Sequence, residues 1–186
     1  MIYTGIGARN TPEEVLAAFE YLGEELAKRN VILRSGGANG ADSAFEKGCD
    51  KENGPKEIYL PWKNFNEKKD GIYQYEFCEK AFSLAKQYHP NFDLLSKGGK
   101  ALMARNSYQV LGLDLQTPTN FIICYTEGGK GTGGTGQALR IAKEYGIKIC
   151  DFGRFPKEQA MKYAKKVLNS IEKDYIQKES EEIEKE

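Results

Sequence analysis

Residues 33–48 read LRSGGANGADSAFEKG: the end of an apolar strand, a double glycine, then a helix-forming run. Glycine at 36 and 37 allows positive φ and leaves no Cβ in the way of a group approaching the main chain. The first N–H groups of the following helix lack intrahelical acceptors, and the helix dipole favours an anion there. Arg34 and Asp42 flank the turn. Strand, glycine turn and helix in that order make one unit of a parallel α/β sheet.

The same order recurs on both sides of this stretch. MIYTGIG (1–7) reads as a first strand. The following TPEEVLAAFEYLGEELAKRN (11–30) reads as a helix, with Thr11 as N-cap, Pro12 at the first helical position and Glu14 completing a capping box. Val15, Phe19, Leu22 and Leu26 fall on one face of it. VILRS (31–35) is a second strand, and KEIYLPW (56–62) a third, ended by Pro61. A polar loop precedes a helix around Phe77, Ala81, Leu84 and Tyr88, which HPNFDLL breaks; His89 closes that helix. KALMARNSYQVLGLDL reads as a further helix, NFIICYT as a strand, GGTGQALRIAKEYG as a helix and IKICDF as a last strand.

These elements predict an α/β fold: a mostly parallel sheet with helices on both faces, in a single domain over residues 1–155. Residues 156–186 carry an apolar stripe through Met161, Ala164, Leu168 and Ile171, predicting a C-terminal helix with a charged, fraying end.

The chain has 186 residues, with 27 Lys plus Arg against 27 Asp plus Glu. A protein held to nucleic acid mainly through phosphates normally carries a basic excess, so this balance counts against single-stranded DNA as the main partner. Four cysteines (Cys49, Cys78, Cys124, Cys150) stand far apart, and the single histidine is His89, so no metal is expected. No apolar run is long enough to cross a bilayer and no secretion signal opens the chain, which points to a cytoplasmic protein with no membrane partner.

In an open α/β sheet, ligands bind beyond the carboxyl ends of the strands. Three unusual turns fall at such ends: TGIGARN, RSGGANGAD and TEGGKGTGGTG. The first lacks the third glycine of a dinucleotide fingerprint, which leaves that fingerprint weak, and the last has no GK[ST] ending, so Mg²⁺-dependent NTP hydrolysis is not supported. What the turns supply is a phosphate cradle. Its expected members are Gly5, Gly7, Arg9, Arg34, Ser35, Gly36, Gly37, Asn39, Gly40 and Asp42, then Arg105, Asn106, Thr126, Gly131, Thr132, Gly133, Gly134 and Thr135. Arginine beside such a turn suits bidentate phosphate contact. Asp42 accepts from a ribose hydroxyl or caps its helix; Arg105 has a salt bridge as its ordinary explanation. Tyr59, Trp62 and Phe65 either stack on a base or pack in the core.

YTGIGARNTP, LRSGGANGADSAFEKG, EIYLPW, ARNSYQVLG and GTGGTGQALRIA resemble small phage and bacterial proteins related to the DNA-processing protein DprA. These belong to the SLOG superfamily, with the Lonely Guy phosphoribohydrolases. The likeness spans Tyr3 to Asp151 and implies a Rossmann-like sheet with nucleotide or single-stranded DNA at the glycine turns. The phosphoribohydrolases carry PGGxGTxxE with a catalytic glutamate. Here EGGKGTGGT puts Glu127 at the proline position, and Gly134 and Thr135 where that glutamate is expected. The resemblance therefore implies a protein that binds a small phosphorylated nucleotide, ADP-ribose-derived or cyclic, without an added cofactor. A phage-type protein that sequesters a nucleotide immune signal, as a homo-oligomer, is the role it suggests. Nucleotide N-glycosidase chemistry, with Asp42, Arg105 or Glu127 as candidate catalytic residues, is one alternative. DprA-like binding of single-stranded DNA through Arg9, Arg34, Arg105, Lys130 and Arg140 is the other.

Overall fold

The computed structural model describes residues 1–72 and 78–183. Five parallel strands form one sheet in the order β3-β2-β1-β4-β5: β1 (Ile2–Gly7), β2 (Ile32–Ser35), β3 (Lys56–Ile58), β4 (Phe121–Tyr125) and β5 (Lys148–Asp151). The helices are α1 (Glu13–Lys28), α2 (Ala41–Lys51), α3 (Glu79–Tyr88), α4 (Lys97–Leu111), α5 (Gly133–Glu144) and α6 (Ala160–Ile183). This is the Rossmann-like architecture expected from the sequence.

The central strands β1 (IYTGIG) and β4 (FIICY) are buried on both faces because helices cover both. Side chains alternate across β4: Phe121 and Ile123 enter the core beneath α1, α2 and α6, whereas Ile122 and Cys124 enter the core beneath α3, α4 and α5. Helix α1 buries Val15, Phe19, Leu22 and Leu26, the stripe its spacing predicts. Phe19 stacks on Phe45 of α2 and meets Phe152 edge-on, tying three segments together. Ala164 and Leu168 of α6 are buried as expected, but Met161 is 37% exposed, and Ala160 and Val167 take its place in the core.

Three local expectations are corrected. Helix α1 begins after Pro12, and Thr11 does not cap it; the Thr11 hydroxyl donates to the Ala8 carbonyl at 2.6 Å and closes the β1–α1 turn instead. Strand β3 stops at Ile58, ahead of Pro61, because Tyr59 and Leu60 turn to pair with Ile72. Arg105 takes part in no ion pair among the described residues; it is held by backbone carbonyls, as set out below. His89 closes α3 as expected, its Nδ1 accepting from the Asn91 N–H. Phe77 and residues 184–186 lie outside the described residues.

The chain runs outward from β1 through β2 to β3, then returns to lay β4 on the other side of β1. Connections leaving the carboxyl ends of β1 and β4 therefore diverge, opening a crevice where doubly wound sheets take their ligands.

Candidate functional site

A cavity of about 450 Å³ occupies that crevice. Ile6–Arg9 wall it from the end of β1, Ala38 and Asp42 from the start of α2, and Thr132–Thr135 from the start of α5. The remaining wall is α4, through Leu102, Met103, Arg105, Asn106 and Gln109. A second cavity, of about 470 Å³, lies at the opposite end of the sheet between β5 and α6, with Met1, Lys148 and Tyr163 on its wall. It has neither a glycine turn nor a buried charge on its wall.

Arg105 is the centre of the first cavity. It projects from the middle of α4, is 7% exposed, and donates through Nη1 to the Gly36 and Tyr59 carbonyls and through Nε to Asn106 Oδ1. Burial lowers its proton affinity; Asp42 opposes that effect and the nearby Arg9 adds to it. The guanidinium nevertheless stays protonated. Two cations thus converge on one cavity, one buried and one at the exposed rim.

Asp42 faces them. Its carboxylate accepts from the Gly7 N–H at 3.3 Å and the Ala38 N–H at 3.4 Å, so it joins the β1 and β2 turns rather than capping α2. Burial pushes this carboxyl up to about 6, against the pull of Arg105 and of the Ala38, Gly7 and Gly36 N–H groups.

The α5 end is open. Thr132 occupies the N-cap position with no side-chain hydrogen bond to the helix, and Thr132, Gly133 and Gly134 are exposed. The N–H groups of the first helical turn have no acceptor within the helix. Gly133 sits at φ +69° with nothing within 4 Å of where a Cβ would stand, so its glycine serves backbone conformation and leaves the turn bare. Asn106 Nδ2 donates to the Gly134 carbonyl at 3.0 Å, fixing the turn against α4. Behind it, Gly131 N–H donates to Thr126 Oγ1, which itself donates to Asp151 Oδ2 at 2.5 Å. Thr126 is buried and works as a latch for the loop rather than as a cavity wall.

The Gly36–Gly37 turn differs. A Cβ on Gly36 would fall on Arg105 Nη1 and on Gln109 Nε2. At Gly37 it would meet the aliphatic stem of Lys68, 2.7 Å away, and the Gly37 carbonyl accepts from Asn66 Nδ2. Protein fills the space the two glycines leave. Arg34 is also engaged elsewhere: its Nε pairs with Glu57 at 2.7 Å and its Nη1 donates to the Thr117 carbonyl at 2.6 Å.

Of the expected residues, the structure brings Gly7, Arg9, Asp42, Arg105, Asn106 and Thr132–Thr135 to one cavity. Gly5 is buried under the Phe45 ring, and Ser35 donates to the Gly5 carbonyl inside the sheet. Gly40 packs on the Ala8 and Arg9 backbone, and Asn39 and Glu127 are exposed and off the cavity wall. Gln109 was missed. Its position four residues after Arg105 puts both on one helix face, and that spacing was the available signal.

Among the described residues, no helix is long and apolar enough to cross a membrane, and no group of three or more His, Cys, Asp or Glu side chains is placed to hold a metal ion. No protein-family model matches the chain, and no curated protein does. Solved structures do. DNA processing protein A from Helicobacter pylori, studied for its single-stranded DNA binding, aligns with a TM-score of 0.60 at 19% identity over 94% of this chain and 81% of its own. The Moco carrier protein from Chlamydomonas rheinhardtii aligns with a TM-score of 0.50 at 16% identity, over 82% and 75%. At these identities the likeness is one of fold, and it is the Rossmann-like fold that the motifs implied.

Proposed function

We propose that this chain binds a small phosphorylated nucleotide, of ADP-ribose-derived or cyclic type, and holds it intact. The observation that carries the reading is the convergence on one cavity of a buried arginine and a helix N-terminal turn that no side chain caps. The phosphate sits at Thr132–Thr135, where free N–H groups and the α5 dipole favour an anion. Arg105 and Arg9 neutralise it. Asp42, with its pKa near 6, and the Gln109 amide face the sugar. That the same fold serves a molybdenum-cofactor carrier and a single-stranded DNA binder is in keeping with a ligand-binding role. Retention without chemistry suits a sequestering or sensing role, as a phage-type protein withholding a nucleotide signal would require.

A second reading has its own support in Asp42. A carboxyl that is half protonated near pH 6 and faces the cavity beside Arg105 has the form of a general acid. Hydrolysis at a nucleotide's N-glycosidic bond would pass that proton to the departing base while water adds to the anomeric carbon. Glu127 is not positioned for it. Single-stranded DNA is less well served: of the five cations that reading needs, Arg34 is paired with Glu57, and Arg140 donates to the Tyr88 carbonyl.

Retention followed by mass spectrometry tests these readings. Purified protein is mixed with ADP-ribose, AMP and cyclic nucleotides, separated by filtration and heated to release what it held. The account predicts a nucleotide depleted from the filtrate and recovered whole. Recovery as base plus ribose phosphate, abolished by Asp42→Asn, would instead establish glycosidase chemistry. Depletion of none, with oligothymidylate binding that weakens steeply with salt, would overturn the small-ligand reading.

A further inference from the structure

Three aromatic side chains of the segment that follows β3 offer a stacking surface in principle, and the structure separates them. Tyr59 is 2% exposed and packs on Tyr108; Phe65 is 5% exposed and lies against the Arg105 guanidinium. Trp62 is 43% exposed. It meets Phe65 edge-on, with ring centroids 5.2 Å apart, and so stands one side chain away from Arg105.

Among the described residues, the first turn of α4 also lies beside Trp62. A Cβ on Gly98 would lie 3.7 Å from the Trp62 six-membered ring, and the neighbouring Gly99 also carries no side chain that could cover it. Gly98, Leu102, Arg105 and Gln109 follow one another at helical spacing, so they form a single stripe along α4. The last three line the cavity, and Trp62 sits at the stripe's outer end. From Gly98 to Arg105 the helix rises about 10 Å. A ligand with its phosphate near Arg105 that extends along this stripe reaches the indole with its far end.

We infer that Trp62 is the platform on which the base of the bound nucleotide stacks. This rests on the phosphate-binding reading of the cavity and adds to it a requirement for a planar aromatic group at the end remote from the phosphate. An indole is a broad π-face without sequence preference, and base–aromatic stacking contributes enough for its loss to be measured.

Trp62 is the only tryptophan in the chain, so it reports on itself. Excitation near 295 nm during titration with ADP-ribose, AMP and ribose 5-phosphate should give quenching with the first two and none with the third. By calorimetry, Trp62→Ala should weaken ADP-ribose binding about tenfold and leave ribose 5-phosphate affinity unchanged, with Trp62→Phe recovering most of the loss. Equal ADP-ribose affinity for wild type and Trp62→Ala, with ribose 5-phosphate still bound, would overturn the stacking proposal and leave the phosphate site standing. Failure of wild type to bind any of the three would overturn the phosphate site first, and the stacking proposal with it.

Discussion

Two glycine turns leave the same edge of the sheet, and they use glycine for opposite purposes. After β2, Gly36 and Gly37 leave a space that Arg105, Gln109 and Lys68 of the same chain occupy. At the start of α5, Gly133 and Gly134 leave a space that stays open to the cavity. The first turn is where the protein approaches itself: it admits a buried guanidinium to a backbone carbonyl and so sets Arg105 in place. The second is where another molecule has room. A bare turn is therefore evidence of close approach, and only the three-dimensional neighbours tell which partner approaches.

The most severe test of this contrast is Gly36→Ala. Its Cβ lands on two buried polar groups at once, so it should destabilise the fold by about 3 kcal/mol in urea unfolding and abolish nucleotide retention. A mild effect would mean that Arg105 is free to move aside and that the turn is as open as its partner.

Asp42 links the two regions and should make stability depend on pH. Its folded pKa of about 6 lies above the ordinary 3.8, so the native state binds more protons than the unfolded chain between those values. The stability that this group contributes is fully present below about pH 4 and is lost as pH rises through 6, on the order of 3 kcal/mol. Unfolding curves of wild type and Asp42→Asn measured from pH 4 to 8 should diverge by that amount; parallel curves would place Asp42 in a wetter setting. ADP-ribose, whose diphosphate charges do not titrate in this range, should bind more tightly at pH 5.5 than at pH 7.5, and only when Asp42 is present.

Arg34 distinguishes structure from function. Arg34→Gln removes a nearly buried partner of Glu57 and the donor to Thr117, and should cost about 2 kcal/mol of stability. Nucleotide affinity should be unchanged. Loss of affinity without loss of stability would return Arg34 to the ligand.

Gly133→Ala should have the smallest effect on stability. No atom lies in its way, and the cost is that of φ +69° for a residue with a side chain, about 1 kcal/mol. Its effect on binding should be larger than its effect on folding, the reverse of Arg34→Gln.

The fold was legible from apolar runs, helical spacing and glycine turns, because a parallel sheet covered on both faces writes each of these locally. The edge at which a cavity opens was legible too, since strand ends carry the turns. What local pattern leaves open is which side chain fills which gap. Arg105 stands 69 residues from Gly36, and nothing near either position records their contact. Arg34 stood beside the right turn, but its position along β2 aims it at Glu57 and the end of α4. Thr126 carries the right chemistry for a ligand and spends it on Asp151 and Gly131, a latch visible only once β4 and β5 are paired. Thr11 misled in the same way, its hydroxyl being taken up by Ala8.

The central claim is that the turn before α5, and not the turn after β2, takes the phosphate. Backbone ¹H–¹⁵N spectra recorded during titration with ADP-ribose test it directly. The account predicts the largest shifts at the amides of Gly133, Gly134 and Thr135, with Gly36 and Gly37 nearly unmoved. Large shifts at Gly36 and Gly37, with Gly133–Thr135 unmoved, would contradict it.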